Sequence, residues 1–113
     1  MNKAIYEGNC PVIYALNIIG GKWKLPLLWH LANNQNGIRY NELKRKLDGI
    51  TNIMLTRSLR ELEEDGVVKR IQYSDIPPYV VYSLTEQGEK LIPALLNIKE
   101  WGEQLRQSNS CQL

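Results

Sequence analysis

Two amphipathic runs separated by only three residues constrain this chain more than any other feature. The first, "NELKRKLD", offers Asn41 as a cap and turns Leu43 and Leu47 inward before stopping at Asp48 and Gly49. The second covers residues 52–65, with Thr51 as its cap and Gly66 as its stop. On its helical wheel Leu55, Leu59 and Leu62 form one stripe with Met54 beside it, while Ile53, Thr56, Arg57, Arg60 and Glu64 lie opposite. Residues 49–51 are too few for anything but a tight corner. Two short helices across such a corner predict a helix-turn-helix over 41–65, with the second helix presented on the surface of the first.

What surrounds this unit narrows the architecture. Pro11 at a first helical position and the pair Gly20 and Gly21 bracket a short apolar helix over 11–19. Trp23, Leu27, Leu28 and Leu31 predict a second helix over 22–34, with Pro26 tolerated in its first turn, and "IRY" reads as a short extended piece. After Gly66, "VVKRIQY" and "YVVYSL" are β-branched and aromatic, and "SDIPP" between them supplies turn chemistry. This predicts a β-hairpin over 67–84 whose tip, stiffened by Pro77 and Pro78, projects rather than pairs. Thr85 should cap a last helix over 86–107, bent at Pro93, with Leu91, Leu95, Ile98 and Leu105 on one face and Ile92, Leu96 and Trp101 widening it. The order is that of a winged helix: mainly α with a small β-hairpin, in one domain of residues 1–113.

At 113 residues and 43% hydrophobic content the chain suits one ordinary core. No run is long enough for a membrane span or a signal peptide, so a cytoplasmic protein without membrane association is expected. The cysteines stand at opposite ends and the single histidine, His30, has no ligand partner at useful spacing, so neither a structural metal nor a cofactor is expected. No nucleophile and base at motif spacing and no glycine-rich phosphate loop appear, which makes an enzyme the least favoured class.

Net charge is only +2, but its distribution is uneven. Residues 39–60 hold six basic side chains (Arg39, Lys44, Arg45, Lys46, Arg57, Arg60) against Glu42 and Asp48. The pairs Arg57 to Glu61 and Arg60 to Glu64 would offer a bland explanation as a solvated, salt-bridged face. Both place the basic residue N-terminal to the acid, the weaker order, and Glu61, Glu63, Glu64 and Asp65 crowd the end where the helix dipole disfavours acids. A helix that enters the major groove of DNA by its N-terminal half accounts for this polarity. Thr51, Asn52, Thr56 and Arg57 are then placed for base edges and Arg60 for a phosphate, while Ile53 either packs on a thymine methyl or marks a wheel turned by one residue. Arg39, Tyr40, Asn41 and Lys44 are candidate backbone contacts, and the wing tip with Pro77 and Pro78 a supporting one. The competing reading is a winged-helix protein-interaction module that uses the same surface without sequence-specific DNA binding.

The segments "CPVIYALNIIGGKWKLPLLWHL", "RYNELKRKLDGITNIMLTRSLRELEEDGVVKR", "PPYVVYSLTEQGEKL" and "WGE" together resemble the HxlR-type family of bacterial winged-helix regulators, relatives of the MarR group. The resemblance spans residues 10–103. It implies a homodimeric DNA-binding transcription regulator that pairs its subunits through the terminal helices; recognition of a pseudo-palindromic operator, with repression favoured over activation, is the function expected on that basis. The chain departs from the family pattern at Asn52 and Ile53, where Pro and Lys are frequent, and so lacks one basic contact. Independently, the last helix carries apolar residues on more than one face, so Ile13, Ile18, Leu95, Ile98, Trp101 and Leu105 are expected at a dimer interface.

Cys10 precedes Pro11 at a helix N-terminus, where the dipole favours a thiolate. Members of the family that the chain resembles sense oxidants or electrophiles at such a cysteine, and Cys111 of a second subunit is a candidate resolving thiol; a buried, inert Cys10 is the alternative. Trp23, Trp29, Tyr14 and Tyr82 read as core or interface residues, with a small apolar effector of unknown identity between them as the other reading.

Overall fold

The computed structural model describes residues 10–110. Four helices and a short strand precede the wing: α1 (Pro11–Ile19), α2 (Lys24–Ala32), β1 (Ile38–Arg39), α3 (Tyr40–Lys46) and α4 (Asn52–Glu64). Strands β2 (Val68–Asp75) and β3 (Pro78–Leu84) follow, then α5 (Glu86–Glu89) and α6 (Ile92–Ser110). This is the winged helix-turn-helix expected from the residue pattern. Among the described residues no helix is long and apolar enough to cross a membrane.

The core forms where α2, α3 and α4 meet the sheet. Leu27 and Leu28 of α2, Leu43 of α3 and Leu55 and Leu62 of α4 are fully buried, and Ile38 and Val68 close the cluster from the sheet side. Thr51 begins α4 by accepting the Met54 amide on its hydroxyl at 3.1 Å. The α4 stripe is Leu55, Ser58, Leu59 and Leu62. Gly49 and Gly66, at φ 91° and 78°, make the left-handed turns on either side of the helix.

Several local expectations are corrected. The helix α3 starts at Tyr40, with Arg39 in the cap position and no side-chain cap bond, so Asn41 lies inside the first turn instead of capping it. The hairpin is part of a three-stranded antiparallel sheet in the order β1-β3-β2, because Ile38 and Arg39 pair with Tyr82 and Val81. The wing pairs to its end, Asp75 opposite Pro78, with an irregularity between Gln72 and Ser74. Pro78 is tolerated there because it is the first residue of β3. The last helix is two: Thr85 caps α5 by accepting the Gly88 amide at 3.1 Å, and Pro93 falls in the opening turn of α6 rather than bending a continuous helix.

A polar corner ties the exit of α4 to the wing and α5. The Thr85 amide donates to the Val67 carbonyl at 3.0 Å and its hydroxyl to the Gly66 carbonyl at 2.6 Å. Gly88 presses against the same Val67 carbonyl, where a Cβ would have no room.

Candidate nucleic-acid interface

The outward side of α4 is one continuous surface. Asn52, Ile53, Thr56, Arg57 and Arg60 are exposed and line a shallow cleft of about 400 Å³. Ile53 is 71% exposed, which fixes the rotation of the helix: its apolar side chain points to solvent because Leu55 and Ser58, not its own position, face the core. Neither Arg57 nor Arg60 is ion-paired among the described residues. The acid one turn after Arg57 is engaged elsewhere: Glu61 Oε1 meets Lys24 Nζ of α2 at 2.8 Å. Glu61 thus pairs with Lys24 rather than with Arg57, and neutralises a lysine whose side chain is 11% exposed.

Tyr40 and Arg39 divide the work at the start of α3. The Tyr40 hydroxyl lies against α4, 3.2 Å from the Asn52 carbonyl, 3.3 Å from Asn52 Oδ1 and 3.1 Å from Thr56 Oγ1. Arg39 turns the other way. Its guanidinium stacks 4.6 Å from the centroid of the Tyr79 ring on the wing and donates through Nη2 to the Pro78 carbonyl at 3.5 Å. The structure therefore links wing, α3 and α4 through two consecutive side chains. Asn41 and Arg45 line a second cleft with Arg39, Pro78 and Val80, whereas Lys44 is half-buried and not part of its lining.

Pro77 and Pro78 are exposed at the wing tip, and so is the apolar Ile76, at 92%, which sequence reasoning did not single out. Asp75, the acid beside it, accepts from Gln72 Nε2 at 2.6 Å. Tyr73 and Tyr79 meet edge to face, with ring centroids 5.8 Å apart.

The terminal helices leave an apolar surface uncovered. Ile13 and Tyr14 on α1 and Leu96, Ile98, Trp101 and Leu105 on α6 are exposed, joined by Val12 and Leu16, which the periodicity alone did not single out. Two residues expected at that surface belong elsewhere. Leu95, 4% exposed, is part of the subunit's own core, and Ile18 packs half-buried against the same cluster, because α6 meets α2 on one side and α1 meets α4. Trp23, Trp29 and Tyr82 also pack on the core, while Tyr14 is half exposed. His30 is half-buried; desolvation first, and then the charge of Lys46, lower its pKa below the ordinary 6.5, with a main-chain hydrogen bond at Lys46 acting in the opposite direction. Cys10 is exposed at the cap position of α1, its carbonyl accepting the Tyr14 amide at 3.1 Å. Cys111 lies outside the described residues.

The profile of the HxlR-like helix-turn-helix family matches residues 18–110. The chain belongs to the HxlR family. Among relatives of this HxlR-family chain, the HTH-type transcriptional regulator YybR of Bacillus subtilis (strain 168) is 50% identical over 106 residues, 92% of this chain and 83% of the relative. Among solved structures, the redox regulator HypR in its reduced form is similar with a TM-score of 0.82 at 47% identity, over 90% of this chain and 99% of that one. The reduced form of the transcriptional regulator YodB from B. subtilis is similar with a TM-score of 0.72 at 28% identity, over 86% and 94% of the two chains. The HxlR-family chain is thus a DNA-binding helix-turn-helix transcriptional regulator and not an enzyme.

Proposed function

We propose that the protein works as a homodimer that sets α4 of each subunit into successive major grooves of a pseudo-palindromic operator and represses the adjoining genes. The observation that carries this reading is the outward face of α4: Asn52, Ile53, Thr56, Arg57 and Arg60 share one exposed cleft, and both arginines are without an ion pair among the described residues. Thr51 and Asn52 stand at the N-terminal end that enters a groove first. Arg39, Asn41 and Lys44 flank the phosphate path, with Pro77 and Pro78 on the neighbouring backbone. The exposed apolar side chains of α1 and α6 support the dimer, since Trp101 at 65% exposure is an unfavourable surface residue unless a second copy covers it.

A mobility-shift titration on DNA upstream of its own gene and the neighbouring one tests the reading. Binding should weaken steeply as salt rises, because phosphate contacts release counterions. Binding that is insensitive to salt would favour a protein-interaction module instead.

Redox control through Cys10 is part of the same reading, supported by the exposure of Cys10 and by likeness to HypR, whose structure has been solved in oxidised and reduced forms. Two thiols, Cys10 and Cys111 of the other subunit, would lose two electrons and two protons to an oxidant such as diamide and form an intersubunit disulfide. A non-reducing gel should show a dimer band for wild type and none for Cys10→Ser. An equal band from both would exclude Cys10.

A further inference from the structure

Tyr40 has one hydroxyl hydrogen and faces three oxygen atoms of α4. The Asn52 carbonyl and Asn52 Oδ1, at 3.2 Å and 3.3 Å, are acceptors only, so they share that hydrogen. The 3.1 Å contact to Thr56 Oγ1 then needs the other direction, with the threonine hydroxyl donating to the tyrosine oxygen. Counting protons orients the chain: Thr56 to Tyr40 to Asn52.

This orientation decides what α4 shows to a groove. With Oδ1 engaged, Asn52 keeps its two amide hydrogens for a ligand. Thr56, its hydrogen spent, keeps lone pairs. The helix thus carries a donor at Asn52 and an acceptor one turn on, with Ile53 exposed between them. We infer that Tyr40 is a positioning residue for base recognition, which sets the donor and acceptor polarity of Asn52 and Thr56 rather than contacting the DNA backbone. The inference rests on the DNA-binding reading above. An unrestrained asparagine pairs with adenine through both amide atoms. Held by Tyr40, Asn52 donates to a purine N7, guanine O6 or thymine O4, and the exocyclic amine of adenine or cytosine falls to Thr56 Oγ1.

Selection of bound duplexes from a randomised pool, by wild type and by Tyr40→Phe, tests this, because phenylalanine keeps the ring and removes only the hydroxyl. On the wild-type consensus Tyr40→Phe should bind about three- to tenfold more weakly, the scale of one net hydrogen bond. Its salt slope should be unchanged. Its selected sequences should lose discrimination only at the base pairs facing Asn52 and Thr56. A 7-deaza purine at that position should weaken wild type more than Tyr40→Phe. In an Asn52→Ala, Thr56→Ala background, Tyr40→Phe should have no further effect. The role of Tyr40 is overturned if Tyr40→Phe selects the same consensus with the same discrimination, if its effect persists undiminished in the double variant, or if it loses sequence-independent binding as well. A wild type that enriches no sequence overturns the regulator reading together with this one.

Discussion

Lys24 Nζ lies 2.8 Å from Glu61 Oε1, and the ammonium is much the more buried of the two, at 11% side-chain exposure against 42%. Removing the carboxylate strands a cation that water reaches poorly, whereas removing the lysine leaves an acid that remains hydrated. Glu61→Ala should therefore lower the unfolding free energy by about 1–3 kcal/mol, and Lys24→Met by less. Urea denaturation midpoints decide it. The opposite order would show an ordinary surface pair.

Arg57 and Arg60 should separate function from stability. Each is exposed and without an ion pair among the described residues, so alanine at either should change stability by no more than about 0.5 kcal/mol. Arg57→Ala should cost about 1–3 kcal/mol of operator binding and relax preference at one base pair. Arg60→Ala should weaken all sequences alike and reduce the salt slope by about one. Titrations on operator and scrambled DNA at several salt concentrations distinguish the two, and an Arg57→Ala shift equal to wild type would remove its base-reading assignment.

His30 makes stability depend on pH. Desolvation and the Lys46 charge hold its folded pKa below 6.5, so on acidification the unfolded chain takes up its proton first. Stability attributable to His30 is intact above the unfolded value, falls as the pH drops below about 6.5, and stops falling once the lower folded value is passed. Denaturation of wild type and His30→Gln at about pH 7.5 and about pH 5 should show a smaller loss in the variant. Equal losses would assign the effect to the carboxylates.

Gly88 tests the corner that joins α4, the wing and α5. An alanine there sets its Cβ against the Val67 carbonyl, a main-chain atom that cannot rotate away, and against the Leu84 side chain. Gly88→Ala should cost about 1–3 kcal/mol and lower the thermal midpoint. An unchanged midpoint would mean that β2 and α5 slide apart at little cost.

How much of this was legible in the residue order follows from how far each interaction reaches. The α4 stripe is local, since Leu55, Leu59 and Leu62 recur at the helical period, and the Thr51 cap acts within one turn. Both therefore read directly from the sequence. The partner of Glu61 sits on α2, and nothing near Glu61 in the chain announces Lys24. Tyr40 read as a phosphate contact because a tyrosine before a basic helix has no local partner, yet the fold brings Asn52 and Thr56 to it. Leu95 was misassigned for a related reason: periodicity marks a residue as apolar-facing without saying whether its own subunit or another covers it. Pro93 carried two meanings, a bend or a start, and the break after α5 chose the second.

The helix α6 runs for 19 residues, and Leu95 is the one side chain buried among those described in it. Helices in proteins owe most of their stability to packing of an apolar face rather than to propensity. Its order should therefore be a matter of population rather than of sequence alone. If two copies pair as proposed, dilution past the point where they separate should fray α6 while α2, α3 and α4 stay intact, visible as a partial loss of helical circular dichroism before the main transition. The number of molecules in the cell would then set not only how much operator is occupied but how many chains are fully folded.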